Sequence, residues 1–139
     1  MANNVQRILV VEDNDAFRET VRDLLRDAGY KVRGAHNVRK ATKRLTKHAF
    51  DLVLTDFDLS DATGLDVLEV ASNRSPTIKL IVMSASAEFS EQAIQSGAAR
   101  FLEKPFGAQM LLDTIADLLR QATANAEDNS ESQTTKPEA

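Results

Sequence analysis

The chain has 139 residues, enough for one hydrophobic core and too few for two comfortable ones. Apolar residues make up 42% and charged residues 27%, an ordinary globular balance, and the net charge of −4 argues against direct nucleic-acid binding, which needs a cationic surface to displace counterions. The absence of cysteine excludes disulfides and thiolate metal sites; with no signal-like leader and no apolar run of about 18 residues, the expected location is cytoplasmic, away from any membrane.

Ile8-Leu9-Val10-Val11 is the first apolar run, and it is continuous rather than alternating, as in a strand buried on both faces of a parallel sheet. Phe17, Val21, Leu24, Leu25 and Ala28 then share one helical face, with Gly29 as the stop. Lys31 to Ala35 is a weaker strand, of the kind expected at an edge. Val38, Ala41 and Leu45 form the next helical stripe, and Lys40, Lys43, Arg44 and Lys47 lie largely on its wet side, a basic face that reads as solvated surface. Leu52-Val53-Leu54 is the third strand, followed by a helix with Leu65, Leu68 and Ala71 on one side. Leu80-Ile81-Val82-Met83 is the fourth strand, Phe89 and Ala93 suggest a short fourth helix, and Arg100 to Leu102 is a second edge-type strand. Leu111, Leu112, Ile115, Leu118 and Leu119 mark the fifth helix. From about Ala124 to Ala139 the residues are polar and acidic with no large apolar side chain, which predicts a domain over 1–123 and a disordered tail over 124–139.

Strict alternation of strand and helix predicts an α/β fold, (βα)₅, with right-handed crossovers and helices on both faces of a parallel sheet. Strands one, three and four are the greasy ones and belong inside. The order 2-1-3-4-5, the flavodoxin-like doubly wound arrangement, satisfies this, and it puts a ligand site beyond the carboxyl ends of strands one and three.

Those ends are acidic. Strand one runs into Glu12-Asp13 and strand three into Asp56, with Asp58 close behind. Two unit charges 4 Å apart repel by about 4 kcal/mol at an effective dielectric near 20, so such a cluster wants a cation. Oxygen-only donors in small number suit Mg²⁺, which often completes its shell with water and phosphate oxygens. Taken singly, Glu12 and Asp13 could merely favour a helix start and Asp56 a turn; together the metal site is the better reading. Strand four ends at Ser84 and strand five leads to Lys104-Pro105. A hydroxyl and an ammonium facing an aspartate and a metal are what a phosphoryl group needs, with Asp56 as the attacking oxygen.

The runs RILVVEDN, DLVLTDFDLSDATGLDVL, IVMSA and GAARFLEKPF, over about residues 6 to 121, resemble the response-regulator receiver domain of two-component signalling, the CheY-like family. The resemblance implies Asp56 as phosphoacceptor, Glu12 and Asp13 as the acidic pair for Mg²⁺, and Asp58 as donor of a backbone carbonyl to the metal. It implies Ser84 and Phe101 as a switch pair and Lys104 as the site lysine; Gly64 falls where the family turns into helix three. Ser60 stands where the family usually has proline, and Ser84 where threonine is more frequent. The implied function is a single-domain regulator, not an enzyme, phosphorylated by a histidine kinase or histidine phosphotransfer protein. It would act on a downstream protein, or dimerise with itself, through the face of helix four, strand five and helix five.

Asp56-Phe57-Asp58-Leu59-Ser60 also resembles the DxDx[ST] start of haloacid-dehalogenase-type phosphatases. Those enzymes carry their acidic metal pair downstream of the lysine and need a cap, whereas here the pair lies upstream. A receiver without working chemistry is disfavoured by the full set Glu12, Asp13, Asp56, Ser84 and Lys104. Flavin binding is disfavoured by the lack of a Ser/Thr/Gly-rich loop after strand one.

Overall fold

The structure is a computed structural model that describes residues 5–135, with side chains over 5–121. Its elements alternate as the periodicity predicts: β1 (Arg7–Val11), α1 (Asp15–Asp27), β2 (Lys31–Ala35), α2 (Val38–Lys47), β3 (Leu52–Asp56), α3 (Gly64–Arg74), β4 (Lys79–Ser84), a 3₁₀ turn (Ala87–Phe89), α4 (Ser90–Gln95), β5 (Arg100–Glu103) and α5 (Ala108–Thr135). The five strands form one parallel sheet in the order β2-β1-β3-β4-β5.

The continuous apolar runs follow from burial on both faces. Leu9, Val11, Val53, Leu80 and Val82 point into one cluster with Ala41 and Leu45 of α2 and Val67, Leu68 and Ala71 of α3. Ile8, Val10, Leu52, Leu54, Ile81 and Met83 point into the other, with Val21 and Leu25 of α1 and Leu111, Ile115 and Leu118 of α5. Successive residues of a strand face opposite sides, so each central strand must be apolar at every position.

Local signals set the helix ends. Asn14 and Asn37 cap α1 and α2 through side-chain oxygens that accept from Phe17 N–H and Lys40 N–H. Thr63 and Asp66 form a reciprocal capping box on α3. By contrast α4 spans six residues, has no side-chain cap at its start and buries only Ala93. The short fourth helix expected from the sequence is therefore present.

The tail expected over 124–139 begins within α5, which runs through Thr135. Polarity argues against burial, not against helix. The side chains of 122–135 and the whole of 136–139, where the tail was expected, lie outside the described residues.

Helix α2 ends on a dipole whose last carbonyls are served from α3: Arg74 donates to Leu45 O at 2.7 Å and to Thr46 O at 3.1 Å. Arg74→Met keeps most of the stem and removes both bonds, so urea unfolding should show a loss of about 1–2 kcal/mol. Unchanged stability would mean that water satisfies those carbonyls equally well.

Candidate functional site

Parallel register brings the strand ends together. Val11 lies opposite Thr55, which puts the residues following β1 beside Asp56 at the end of β3. Asp56 pairs with Met83, and Ser84 with Glu103, so Ser84 and Lys104 arrive at the same edge. A backbone bond from Lys104 N–H to Ser84 O, 2.8 Å, locks the loop after β5 to the end of β4.

Glu12, Asp13 and Asp56 each offer a carboxylate oxygen, and these oxygens lie within 4.8 Å of one another. Glu12 is 2% exposed and Asp56 8% exposed, whereas Asp13 opens to solvent. Lys104 reaches both buried members: its Nζ is 2.8 Å from Glu12 Oε1 and 3.1 Å from Asp56 Oδ1. Glu12 is held further by the N–H of Asn14, which donates to its Oε2 at 3.1 Å, and by Arg18, which donates to its backbone oxygen at 2.7 Å. One ammonium among Glu12, Asp13, Asp56 and nearby Asp58 leaves a negative surplus beside open solvent, and every donor in the set is oxygen. That combination fits a hard divalent cation such as Mg²⁺.

Burial pushes the Asp56 carboxyl up to about 6; Lys104 opposes the shift, and Glu12 and Asp58 add to it. Lys104 moves upward too: burial disfavours its charge, but the hydrogen bond to Glu12 and the charge of Asp56 outweigh burial.

Ser84 is buried, and its Oγ accepts from Ser86 N–H at 3.1 Å, which leaves the hydroxyl proton available to an incoming acceptor. Phe101 is half-buried against the cluster that holds Phe57. Asp58 is exposed, and its backbone bridges to Thr63 just before α3.

Gly64, read from the sequence only as a turn into helix three, has a steric reason. A Cβ there would be driven into the backbone oxygen of Asp56, and its N–H bonds Phe57 O at 2.7 Å. Three further contacts escaped the sequence reading. The Lys104 ammonium sits 4.7 Å from the centre of the Phe17 ring, which meets Phe106 edge-on at 6.1 Å. Phe57, beside Asp56, stacks on Phe89 with ring centres 4.0 Å apart. Asp61 accepts from the N–H groups of Val38 (2.9 Å) and Arg39 (3.1 Å), tying the loop after β3 to the start of α2. The Val38 bond is the first cause of its lowered pKa. Helical periodicity announces Phe17, but nothing in it says that the ring meets Lys104.

A family model described as response regulator receiver domain matches residues 8–116. The response regulator protein PilR of Pseudomonas aeruginosa is 34% identical over 88% of this chain, and the alginate biosynthesis transcriptional regulatory protein AlgB of Pseudomonas putida is 36% identical over 90%. The chain spans only 28% and 29% of those two curated relatives. Among solved structures, a CheY-like receiver domain protein from Methanospirillum hungatei superposes with a TM-score of 0.83 at 29% identity, over 88% of this chain and 99% of that one. NtrX from Brucella abortus superposes at 0.84 with 28% identity, over 91% of this chain and 30% of NtrX.

A raised folded-state pKa means that the stability tied to Asp56 is fully present below its unfolded pKa, near 3.8, and is lost as pH rises through about 6. In metal-free buffer Asp56→Asn should therefore stabilise the fold at pH 8, by about 1–2 kcal/mol once partial solvent screening is allowed for. Lys104 keeps Glu12 as a partner in the variant. The gain should fade as pH falls towards 4, measured by urea unfolding at several pH values. A gain independent of pH would rule out the buried charge as its source.

Proposed function

The chain belongs to the response regulator receiver domain family, and on that premise we propose that it accepts a phosphoryl group on Asp56 and signals through phosphorylation-gated protein binding. Receivers of this family are signalling modules that interact with histidine kinases and output domains. The donor in this reading is the phosphohistidine of a histidine kinase or phosphotransfer protein. In this reading the receiver comprises 1–123, with 124–139 as an appended tail. Among the described residues no helix is long and apolar enough to cross a membrane, which is compatible with a cytoplasmic site of action.

The observation that carries the reading is the reach of Lys104 Nζ to both Glu12 (2.8 Å) and Asp56 (3.1 Å) in a cluster of three carboxylates. Glu12, Asp13 and Asp56, with the Asp58 backbone carbonyl, would hold Mg²⁺, which when bound neutralises charge on the phosphoryl oxygens. Asp56 attacks phosphorus through a carboxylate oxygen; an O–P bond forms, the N–P bond of the phosphohistidine breaks, and the imidazole leaves with the electron pair. Lys104 turns its ammonium from the Asp56 oxygen to a phosphoryl oxygen while keeping Glu12. Ser84 donates its free hydroxyl proton to another. Drawing Ser84 toward Asp56 opens space beside Phe101, whose inward ring packs without burying a polar group. Two arrangements of the α4–β5–α5 face are biased in this way, for a protein target or a second copy.

Acetyl phosphate or beryllium fluoride should modify the intact protein only when Mg²⁺ is present, and Asp56→Asn should abolish the modification. Labelling without metal, or equal labelling of the variant, would overturn the assignment. Sustained turnover of p-nitrophenyl phosphate would favour the phosphatase reading of Asp56 and Asp58 instead.

The switch has its own test. Ser84→Ala should still accept beryllium fluoride on Asp56, yet lose most of its effect on self-association or on binding of a target at that face. A full response in Ser84→Ala would shift attention to the Phe57–Phe89 stack.

A further inference from the structure

The outer edge of β2 carries a feature that the phosphoacceptor reading does not use. A cleft of about 510 Å³ runs along it, lined by Arg7, Arg22, Arg26, Lys31, Arg33 and Arg44, with no carboxylate among its lining residues. In a chain of net charge −4 this is a pronounced local surplus. Arg44, part of the basic helix face read from sequence as solvated surface, lines the cleft and donates through Nε to Gly34 O at 3.1 Å.

Beneath the cations lies the outer backbone edge of β2, which their side chains cover: Val32 is 9% exposed and Gly34 is buried. Lys31 N–H bonds Gln6 O and Ala35 O accepts from Glu12 N–H, so residues 31, 33 and 35 direct their backbone groups to β1. By the two-residue period of a strand, Val32 and Gly34 direct theirs outward, into the cleft they help to line. Of these outward groups, the Gly34 carbonyl is engaged by Arg44. The two faces of β2 differ in their neighbours: Val32 packs with the α1–α5 cluster and Ala35 with the α2–α3 cluster. Cations flank both faces, with Arg22 and Arg26 from α1 on one and Lys31, Arg33 and Arg44 on the other.

Gly34 makes room for this arrangement. A Cβ there would meet the Arg22 side chain at 3.0 Å and that of Arg18 at 3.2 Å, so the glycine lets an arginine cross the strand. Arg22 is only partly employed: Nη1 pairs with Glu19 at 2.8 Å, while Nε is buried without a hydrogen-bond partner. The field extends to His48, whose imidazolium is disfavoured first by desolvation and then by Arg33, Arg44 and Arg7.

We propose that the outer edge of β2, uncovered as the arginine side chains swing onto an incoming anion, is a docking strand for an extended acidic peptide segment of a partner protein. Backbone pairing with Val32, and with Gly34 once Arg44 releases its carbonyl, would supply register, and carboxylates on either side of the added strand would meet the flanking cations. The same charges repel a second copy of this edge, so the surface discriminates between an acidic strand and itself. A peptide is favoured over a nucleic acid because unpaired strand groups match an amide backbone and have no counterpart on a phosphodiester chain.

The test uses the full-length, unmodified protein without Mg²⁺, so the result is independent of the phosphoacceptor reading. The probe is a blocked peptide of Glu-Glu-Val-Thr repeats, about eight residues long, followed by fluorescence anisotropy and by amide shifts at Val32 and Gly34. Two further peptides carry N-methyl groups at odd or at even positions, with the charge unchanged. Binding should move the Val32 and Gly34 amides, and one of the two N-methylated peptides should bind at least about tenfold more weakly. Arg26→Glu combined with Arg33→Glu, both exposed positions with no strand bond through their side chains, should lose binding while melting close to the parent. Equal binding of both N-methylated peptides, equal binding of a single-stranded oligonucleotide of the same charge, or no binding of the probe would each overturn the proposal.

Discussion

Lys104 stands between two buried carboxylates that would otherwise repel, 2.8 Å from one and 3.1 Å from the other. Glu12 follows β1, Asp56 ends β3, and Lys104 follows β5, so this one ammonium joins three strand ends across the width of the sheet. β4, which lies between β3 and β5, ends at Ser84, whose carbonyl fixes the Lys104 backbone. The Phe17 ring lies against the ammonium at 4.7 Å, and Phe106 packs on that ring in turn.

The proposed function, uptake of a cation and an anion together, would require an acidic site, and the rest of the fold offsets the repulsion. Both apolar layers are anchored on β1, β3 and β4, the strands that carry or adjoin the carboxylates. The charged groups are thus held at the rim of the best-packed part of the molecule, where movement of the backbone is most resisted. The more adaptable parts lie on the far side of Ser84: the 3₁₀ turn, α4 and the half-buried Phe101.

Much of this was legible in the sequence. The continuous runs at Ile8 to Val11, Leu52 to Leu54 and Leu80 to Met83 read as central strands, and the order 2-1-3-4-5 satisfied that placement. Once the order was known, Glu12, Asp13, Asp56, Ser84 and Lys104 fell at one edge, because strand ends in a parallel sheet are neighbours. Contacts that depend on the distance between elements were not legible. Phe17 has the spacing of a core residue and packs, partly buried, against the core, yet it also meets Lys104. Gly64 could be seen to turn the chain, but only the approach of Asp56 O shows why nothing larger fits. Asp61, an ordinary loop acid by composition, caps a helix that begins more than twenty residues earlier. Arg44 shares its helix face with solvated lysines, and only the position of β2 beneath it distinguishes it from them.

The brevity of α4 has an energetic consequence. Six residues give barely more than one turn, so few intrahelical bonds hold it; no side chain caps its first turn, Ala93 alone is buried, and Ile94 is 47% exposed. Amide hydrogen exchange through local opening should therefore be fastest here among the regular elements, with protection well below that of the central strands. A segment that opens often spends a measurable fraction of its time away from its docked arrangement. A partner able to capture the opened segment would gain affinity in proportion to that fraction, and the Phe57–Phe89 stack, which holds the start of α4 against the residue beside Asp56, sets how large the fraction is.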